Sequence, residues 1–193
     1  MRKCLNKGFT LIELMVTIAV LAVLATIALP AMNDFMEKHR VVGAAEAIAD
    51  HIKFARTEAV KQSRQMTISI FGGDTDSWCL GTALAECDCN EDNSCVVPMA
   101  GNNVQLLLRG ENFRGVELAV NDYASGTDAD GVITFDGVRG IGSAGDVALV
   151  STNMWVLNVQ TSPLGMVRIC TPTGGKAAGR YQECPAVPEP EPE

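Results

Sequence analysis

Residues 9–30 read FTLIELMVTIAVLAVLATIALP, and between Phe9 and Asn33 the only ionisable side chain is Glu13. The uncharged run Leu14–Met32 has 19 residues. At about 1.5 Å per residue it makes about 28 Å of helix, close to the hydrocarbon thickness of a bilayer. Ahead of it, residues 1–7 (MRKCLNK) carry three positive charges and no negative one. The positive-inside bias would hold Arg2, Lys3 and Lys7 in the cytoplasm and put everything after about residue 33 beyond an inner membrane. A secretory signal peptide shares the basic start and the apolar run, but it leads into a small-x-small cleavage site. Ala22, Ala25, Ala28 and Pro30 could be misread that way, yet the run is too long and continues into a helical pattern. Glu13 is the costly residue: an acid unpaired at mid-bilayer costs about 2–3 kcal/mol, so the sequence predicts a partner for it.

Downstream, Val41, Ala45, Ile48, Ile52, Ala55 and Ala59 recur at steps of four and three, the stripe of an amphipathic helix with one face on a domain. The other face carries Glu46, Asp50, Lys53, Arg56, Glu58 and Lys61, with Asp50/Lys53 and Glu58/Lys61 spaced to meet on a solvated surface. The reading is one long helix over residues 9–64 with a membrane segment at about 11–32. After Gln65 the period changes to two. Strands are expected at 66–71, 95–99, 104–108, 116–120, 132–135, 147–150, 154–159 and 165–170, separated by Gly, Asn and Asp turns. No second long helical pattern supplies crossovers, so the expected fold is α+β: a long N-terminal helix packed on a largely antiparallel β-sheet domain over residues 65–184. The tail 185–193, PAVPEPEPE, is too polar and proline-rich to pack and reads as a disordered acidic end.

The stretch GFTLIELMVTIAVLAVLATIALP resembles the type III signal of type IV pilins and of type II secretion pseudopilins. That resemblance implies removal of a leader, residues 1–8, by a prepilin peptidase cutting between Gly8 and Phe9, with N-methylation of Phe9. It also implies that Glu13 pairs with the N-terminal amine of a neighbouring subunit and that Pro30 loosens the helix. The physics agrees, because a carboxylate and an ammonium in lipid are each costly alone and pairing across subunits satisfies both. ITFDGVRGIGSAGDVALV, followed by SPLGMVRIC, resembles the C-terminal region of the FimT/GspH family of minor pilins and pseudopilins. The implied role is that of a type IV pilus minor pilin, inserted in the bacterial inner membrane as a single pass with its C-terminal domain in the periplasm, then built into the filament at the cell surface. A pseudopilin shares every N-terminal argument. The implied partners are other major and minor pilins, the prepilin peptidase, the inner-membrane assembly platform and, before assembly, membrane lipid.

Cys4 precedes the expected cut, leaving Cys79, Cys87, Cys89, Cys95, Cys170 and Cys184. An even number outside the membrane reads as disulfides; their distribution suggests a Cys170–Cys184 loop and leaves the pairing of the other four open. A zinc site is disfavoured because C-x7-C-x-C-x5-C lacks C-x2-C pairs and a nearby histidine. Asp128, Asp130 and Asp136 open like a calcium loop but lack its twelfth-position glutamate, which favours a tight turn. Ser143 lacks the nucleophile-elbow spacing, and the only histidines, His39 and His51, precede it. No cofactor and no catalytic constellation is expected, so the chain reads as a non-enzyme. DNA-binding relatives carry a Gly-Arg-x-Arg motif. The matching positions are Gly165, Met166, Val167 and Arg168, without the first arginine; Lys176 and Arg180 on a glycine-rich loop complete a candidate DNA contact. Against it, 15 basic and 23 acidic residues give −8, and loss of Arg2, Lys3 and Lys7 gives −11 (12 against 23). At 47% hydrophobic residues the chain can bury a core and is not disordered throughout.

Overall fold

The computed structural model describes residues 9–74, 77–99, 101–127 and 129–185; within these, the side chains of 27–31 are not described. The expected leader with Gly8, Asp128, the tail beyond Pro185 and the side chain of Pro30 therefore lie outside the described residues. Among the described residues, helix α1 (Leu11–Gln62) is followed by ten strands and one turn of 3-10 helix (Gly110–Asn112). The chain divides into two units, Met1–Met36 and Glu37–Glu193.

In the first unit Thr10 starts the helix. Its hydroxyl accepts from the Glu13 amide (3.3 Å) and its carbonyl from the Leu14 amide (3.2 Å), the arrangement of an N-cap. The hydroxyls of Thr17 and Thr26 donate to the carbonyls of Leu14 and Val23, so both are satisfied inside the helix. Phe9, Leu11, Ile12, Leu14, Val16 and Leu21 are all exposed, so the apolar surface runs round every side of the helix. Among the described residues no helix is long and apolar enough to cross a membrane.

In the second unit the apolar stripe of α1 is buried: Val41, Ala45, Ile48, Ile52, Ala55 and Ala59 are all within the core, joined by Ala44 and Ala49. Alanines at these positions let backbone and sheet approach closely. The helix ends in a Schellman motif, with Ser63 at φ +52°, its N–H on the Val60 carbonyl and the Arg64 N–H on the Ala59 carbonyl.

Two sheets receive this stripe. The first has the order β3 (Val96–Met99), β4 (Asn102–Arg109), β2 (Cys79–Ala83), β1 (Met66–Phe71), β6 (Gly131–Phe135), all antiparallel. The second has the order β10 (Lys176–Ala177), β8 (Trp155–Thr161), β7 (Gly145–Ser151), β5 (Val116–Val120), with β9 (Val167–Cys170) also on β8. Among the described residues the β8–β10 strand pair is parallel, as is the isolated Thr171–Glu183 bridge. The result is the α+β arrangement, a helix on two largely antiparallel sheets, with Phe135, Ile133, Leu149, Leu157 and Trp78 among the largest buried side chains.

Three departures from the sequence pattern have physical causes. Strand β2 lies in a segment where no strand was expected, because CLGTA shows no alternation. Both its faces are covered: Leu80 and Thr82 pair across β1 with Ile70 and Ile68 toward the helix, while Cys79 and Gly81 pair with Phe71 and Ser69 under a disulfide knot. Met154 is not in a strand but in a turn at φ +62°, its N–H bonded to the Ser151 carbonyl. Glu58, expected on the solvated face, is instead buried at 5% exposure. It accepts from Gln62 (2.7 Å) and Lys61 (3.2 Å), and Gln62 also donates to the Pro98 carbonyl. The Gln62 hydrogen bond first, then Lys61, hold its carboxyl below the usual carboxylate range against the opposing effect of burial.

Candidate functional site

Thr10 and Glu13 stand at the cap and the third residue of α1, the spacing of a capping box, where an acid is favoured by the helix dipole. Glu13 is therefore locally well placed, and the apolar side chains next to it in the sequence are exposed.

At the other end of the sequence three disulfides fix the exposed loops. Cys79–Cys89 and Cys87–Cys95 interleave, with Cα separations of 6.1 and 5.2 Å, and pin residues 87–95 onto the back of β1 and β2. Gly81 is required there, since a Cβ would collide with the Cys95 sulfur. The Ser69 hydroxyl accepts from the Cys87 amide, tying the knot to β1. Cys170–Cys184, with Cα atoms 4.9 Å apart, closes a loop that lies back on the fold: Ala178 is buried, and Tyr181 donates to Glu46 of α1 at 2.8 Å. Burial first, then the Glu46 carboxylate, push the Tyr181 phenol up to about 12.

The three candidate DNA-contacting cations do not share a face. Lys176 pairs with Trp155 at the start of β8, and its ammonium sits 3.8 Å from the centre of that ring, with Lys38 of α1 at 5.1 Å. Arg168 pairs with Gln160, five residues further along β8, which is about 17 Å away at about 3.3 Å per residue. Five is an odd step, so the two partners point to opposite sides of the sheet. Trp155 packs toward the core with Leu157 and Val159, whereas Gln160 and Arg168 lie on the outer side in a row with Asp146. Arg180 is exposed beyond Gly179, itself at φ +103°.

A family model described as Type II transport protein GspH matches residues 44–165, and a prokaryotic N-terminal methylation motif matches residues 4–29. The chain belongs to the GspH family. A fimbrial protein of Dichelobacter nodosus is 47% identical over 153 residues, covering 66% of this chain and 91% of that protein. A type IV major fimbrial protein, FimA, of the same organism is 28% identical over 140 residues, 63% of this chain and 87% of that one. Among solved structures, the type IV minor pilin FimU of Pseudomonas aeruginosa has a TM-score of 0.48 at 18% identity, covering 74% of this chain and 96% of that one. The minor pseudopilin EpsH of the Vibrio cholerae type 2 secretion system scores 0.44 at 8% identity, covering 69% and 98%. Pilin and pseudopilin families are structural proteins that associate with other pilins, not enzymes, and the methylation motif marks a membrane-anchored subunit.

In this GspH-family chain the residues that looked chemical in the sequence have structural work. Asp130 accepts from the Gly72 amide at 2.7 Å, Asp136 from the Arg139 amide at 3.0 Å, and the Ser143 hydroxyl from the Thr134 amide at 3.2 Å. His51 is bonded to the Thr82 hydroxyl at 2.8 Å under the sheet, and burial lowers its pKa to about 4. Asp146 accepts from Asn121 and Asn158, and burial, ahead of the influence of Asp122, raises its pKa. Sequence reasoning missed Arg56. Its guanidinium donates to the Gly140 carbonyl (2.9 Å) and the Leu164 carbonyl (3.1 Å), joining loops 137–142 and 162–166 on the helix. Gly165, at φ +72°, is needed for that closure, because a Cβ would meet the Gly140 carbonyl and Arg56. Its only signal in the sequence was an arginine among residues read as a solvated face.

Proposed function

We propose that this chain is a minor pilin of a type IV pilus. The observation that carries the proposal is the first part of α1, from Leu11 to Thr26: apolar and exposed on every side, capped at Thr10, with its one acid, Glu13, in the first turn. Such a surface is stable in lipid, or among other helices of its kind. A prepilin peptidase cuts between Gly8 and Phe9 and methylates Phe9. The chain waits in the inner membrane with residues after about 33 in the periplasm, in contact with lipid and the assembly platform. Glu13 then pairs with the amine of a neighbouring subunit as the chain joins major and minor pilins in the filament. Its job is assembly, priming the fibre at or near its tip, and through the fibre it supports motility, adhesion or DNA uptake. The relatives named fimbrial proteins and the disulfide-fastened outer loops favour an external filament. The type II transport description of the family favours a secretion pseudopilin as the second reading. The separation of Arg168 from Lys176 and the row it forms with Asp146 leave direct DNA contact without support.

The test is the intact mass of the protein from membrane and sheared surface fractions of its own cell. A mass lacking residues 1–8, raised by one methyl and present in sheared fibres, is expected. Gly8→Val should leave the chain at full length, and Glu13→Ala should be cleaved yet stay out of fibres. Processed protein that never reaches the sheared fraction, together with a secretion defect on deletion, would instead favour the pseudopilus. Cleavage after the apolar run would end both readings.

A further inference from the structure

Five exposed apolar side chains are carried by the segments that Arg56 fastens together at the end of α1. Val138 (79% exposed) and Ile141 come from residues 137–142, Leu164 (63%) and Met166 from residues 162–166, and Val60 from the helix. The segments that carry them are neighbours: the Gly142 amide donates to the Pro163 carbonyl, the site of a Cβ on Gly140 meets Val60 and Arg56, and that on Gly165 meets the Gly140 carbonyl. Isolated exposed apolar residues need no explanation, but a contiguous group does. Both loops are held rigid by their own backbone, with Asp136 N–H on Ile141 O, Ser162 N–H on Met166 O and Gly165 N–H on Ser162 O. A preformed surface of this kind loses little entropy on docking. Pro163 and Met166 also line an open groove of about 670 Å³, so the apolar surface extends past the loops.

Charge gives the second half of the argument. Arg56, Arg64 and Arg139 flank the patch: Arg56 lies against Gly140 and Gly165, the backbone of Ser63 and Arg64 lies against Gly137, and Arg139 belongs to the first loop, whereas Arg168 lines the groove with Asp122 and Asp146. The flanking arginines are three of the 12 cations in residues 9–193, where 23 acids make the sum −11. Of the nearby acids, Glu58 is buried and bonded to Lys61 and Gln62, Asp136 caps its own loop, and Asp146, bonded to Asn121 and Asn158, lies with Asp122 along the groove beside Arg168. The apolar centre favours a protein over a nucleic acid, whose backbone would leave those side chains uncovered.

We infer that the face formed by loops 137–142 and 162–166 docks on an acidic surface of the globular part of another pilin-type subunit in the same filament. The inference rests on the minor-pilin reading, in which the neighbours of this chain have other sequences, and it adds the surface through which they are recognised. Apolar side chains supply the buried centre, and the arginines select a neighbour that presents carboxylates around it.

The full chain is expressed in its own cell with Leu164 replaced by the photo-reactive p-benzoylphenylalanine, and cross-linked in sheared filaments. The expected product joins position 164 to a Glu- or Asp-rich peptide of a different filament subunit. A product with nucleic acid, with a second copy of this chain only, or no product from filaments that contain the chain would overturn the inference. In parallel, Leu164→Glu with Met166→Glu should lower recovery in filaments about tenfold, while Val104→Glu, an exposed apolar position on β4, leaves it unchanged. All variants should keep three disulfides and the parent melting temperature. Equal recovery of the double variant sinks the docking face. Absence of the unsubstituted chain from filaments sinks the minor-pilin reading itself, a result the same blot reports separately.

Discussion

One helix, two surroundings: from Leu11 to Thr26 α1 exposes large apolar side chains on every side, and from Val41 to Ala59 it buries a stripe of mostly alanine and isoleucine in a core. The second stretch is satisfied by its own chain, and the first is not. Apolar burial of about 25 cal/mol per Å² is gained within the monomer in one case and only through lipid or neighbouring helices in the other. Substitutions in the two stretches should therefore be read out by different measurements.

The largest separation is expected from matched truncations. Ile52→Ala removes a fully buried side chain beneath both sheets and should cost about 3 kcal/mol in denaturant unfolding. Leu21→Ala, at an exposed position of the first stretch, should leave that transition unchanged and instead reduce filament incorporation. Equal effects on unfolding would break the comparison. Next is pH. His51 has its pKa lowered from 6.5 to about 4 by burial, so between those values the unfolded chain binds more protons than the folded one. Stability then rises with pH across this window and falls on acidification, by about 3 kcal/mol at pH 4. Glu58, held below the carboxylate range by Gln62, adds a loss as pH falls through its folded value, while Asp146, raised by burial, acts in the opposite sense. His51→Gln should flatten the 6.5-to-4 segment in a melting-temperature series; an unchanged slope would remove His51 as its cause.

Replacing Cys170 and Cys184 together by serine should cost about 2–3 kcal/mol by calorimetry, as expected for a loop of 14 residues. Because Tyr181 and Ala178 of that loop lie on α1 and in the core, the loss belongs to the second unit and should leave processing at Phe9 untouched. The smallest effect is at the helix end, where Ser63 holds φ +52°. Ser63→Gly should gain about 0.5–1 kcal/mol, measurable as a small shift in denaturation midpoint.

Much of this was legible in the chain because its signals are local. The stripe at Val41, Ala45, Ile48, Ile52, Ala55 and Ala59 is a period of one helix, and the alternation in β5 or β6 reflects one covered face. Strand β2 escaped because both its faces are covered, which erases alternation and leaves a short apolar segment around Gly81. Glu58 and Arg56 escaped for a related reason. Helical spacing placed them among solvated charges, but Gln62 and Pro98 close over the first, and two loops 84 and 108 residues downstream lie on the second.

By itself the sequence determined that the chain has an apolar, acid-bearing helical start, an antiparallel β-rich remainder and six cysteines after the apolar run. Each of these follows from composition and spacing over a few turns or strands. Only the tertiary structure decided how Cys79, Cys87, Cys89 and Cys95 pair, that Arg168 and Lys176 point to opposite sides of a sheet, and that Arg56 joins two loops into one apolar face. Those outcomes depend on register and on contacts between residues far apart in the chain, where a shift of one position reverses a side chain and no local pattern records the choice.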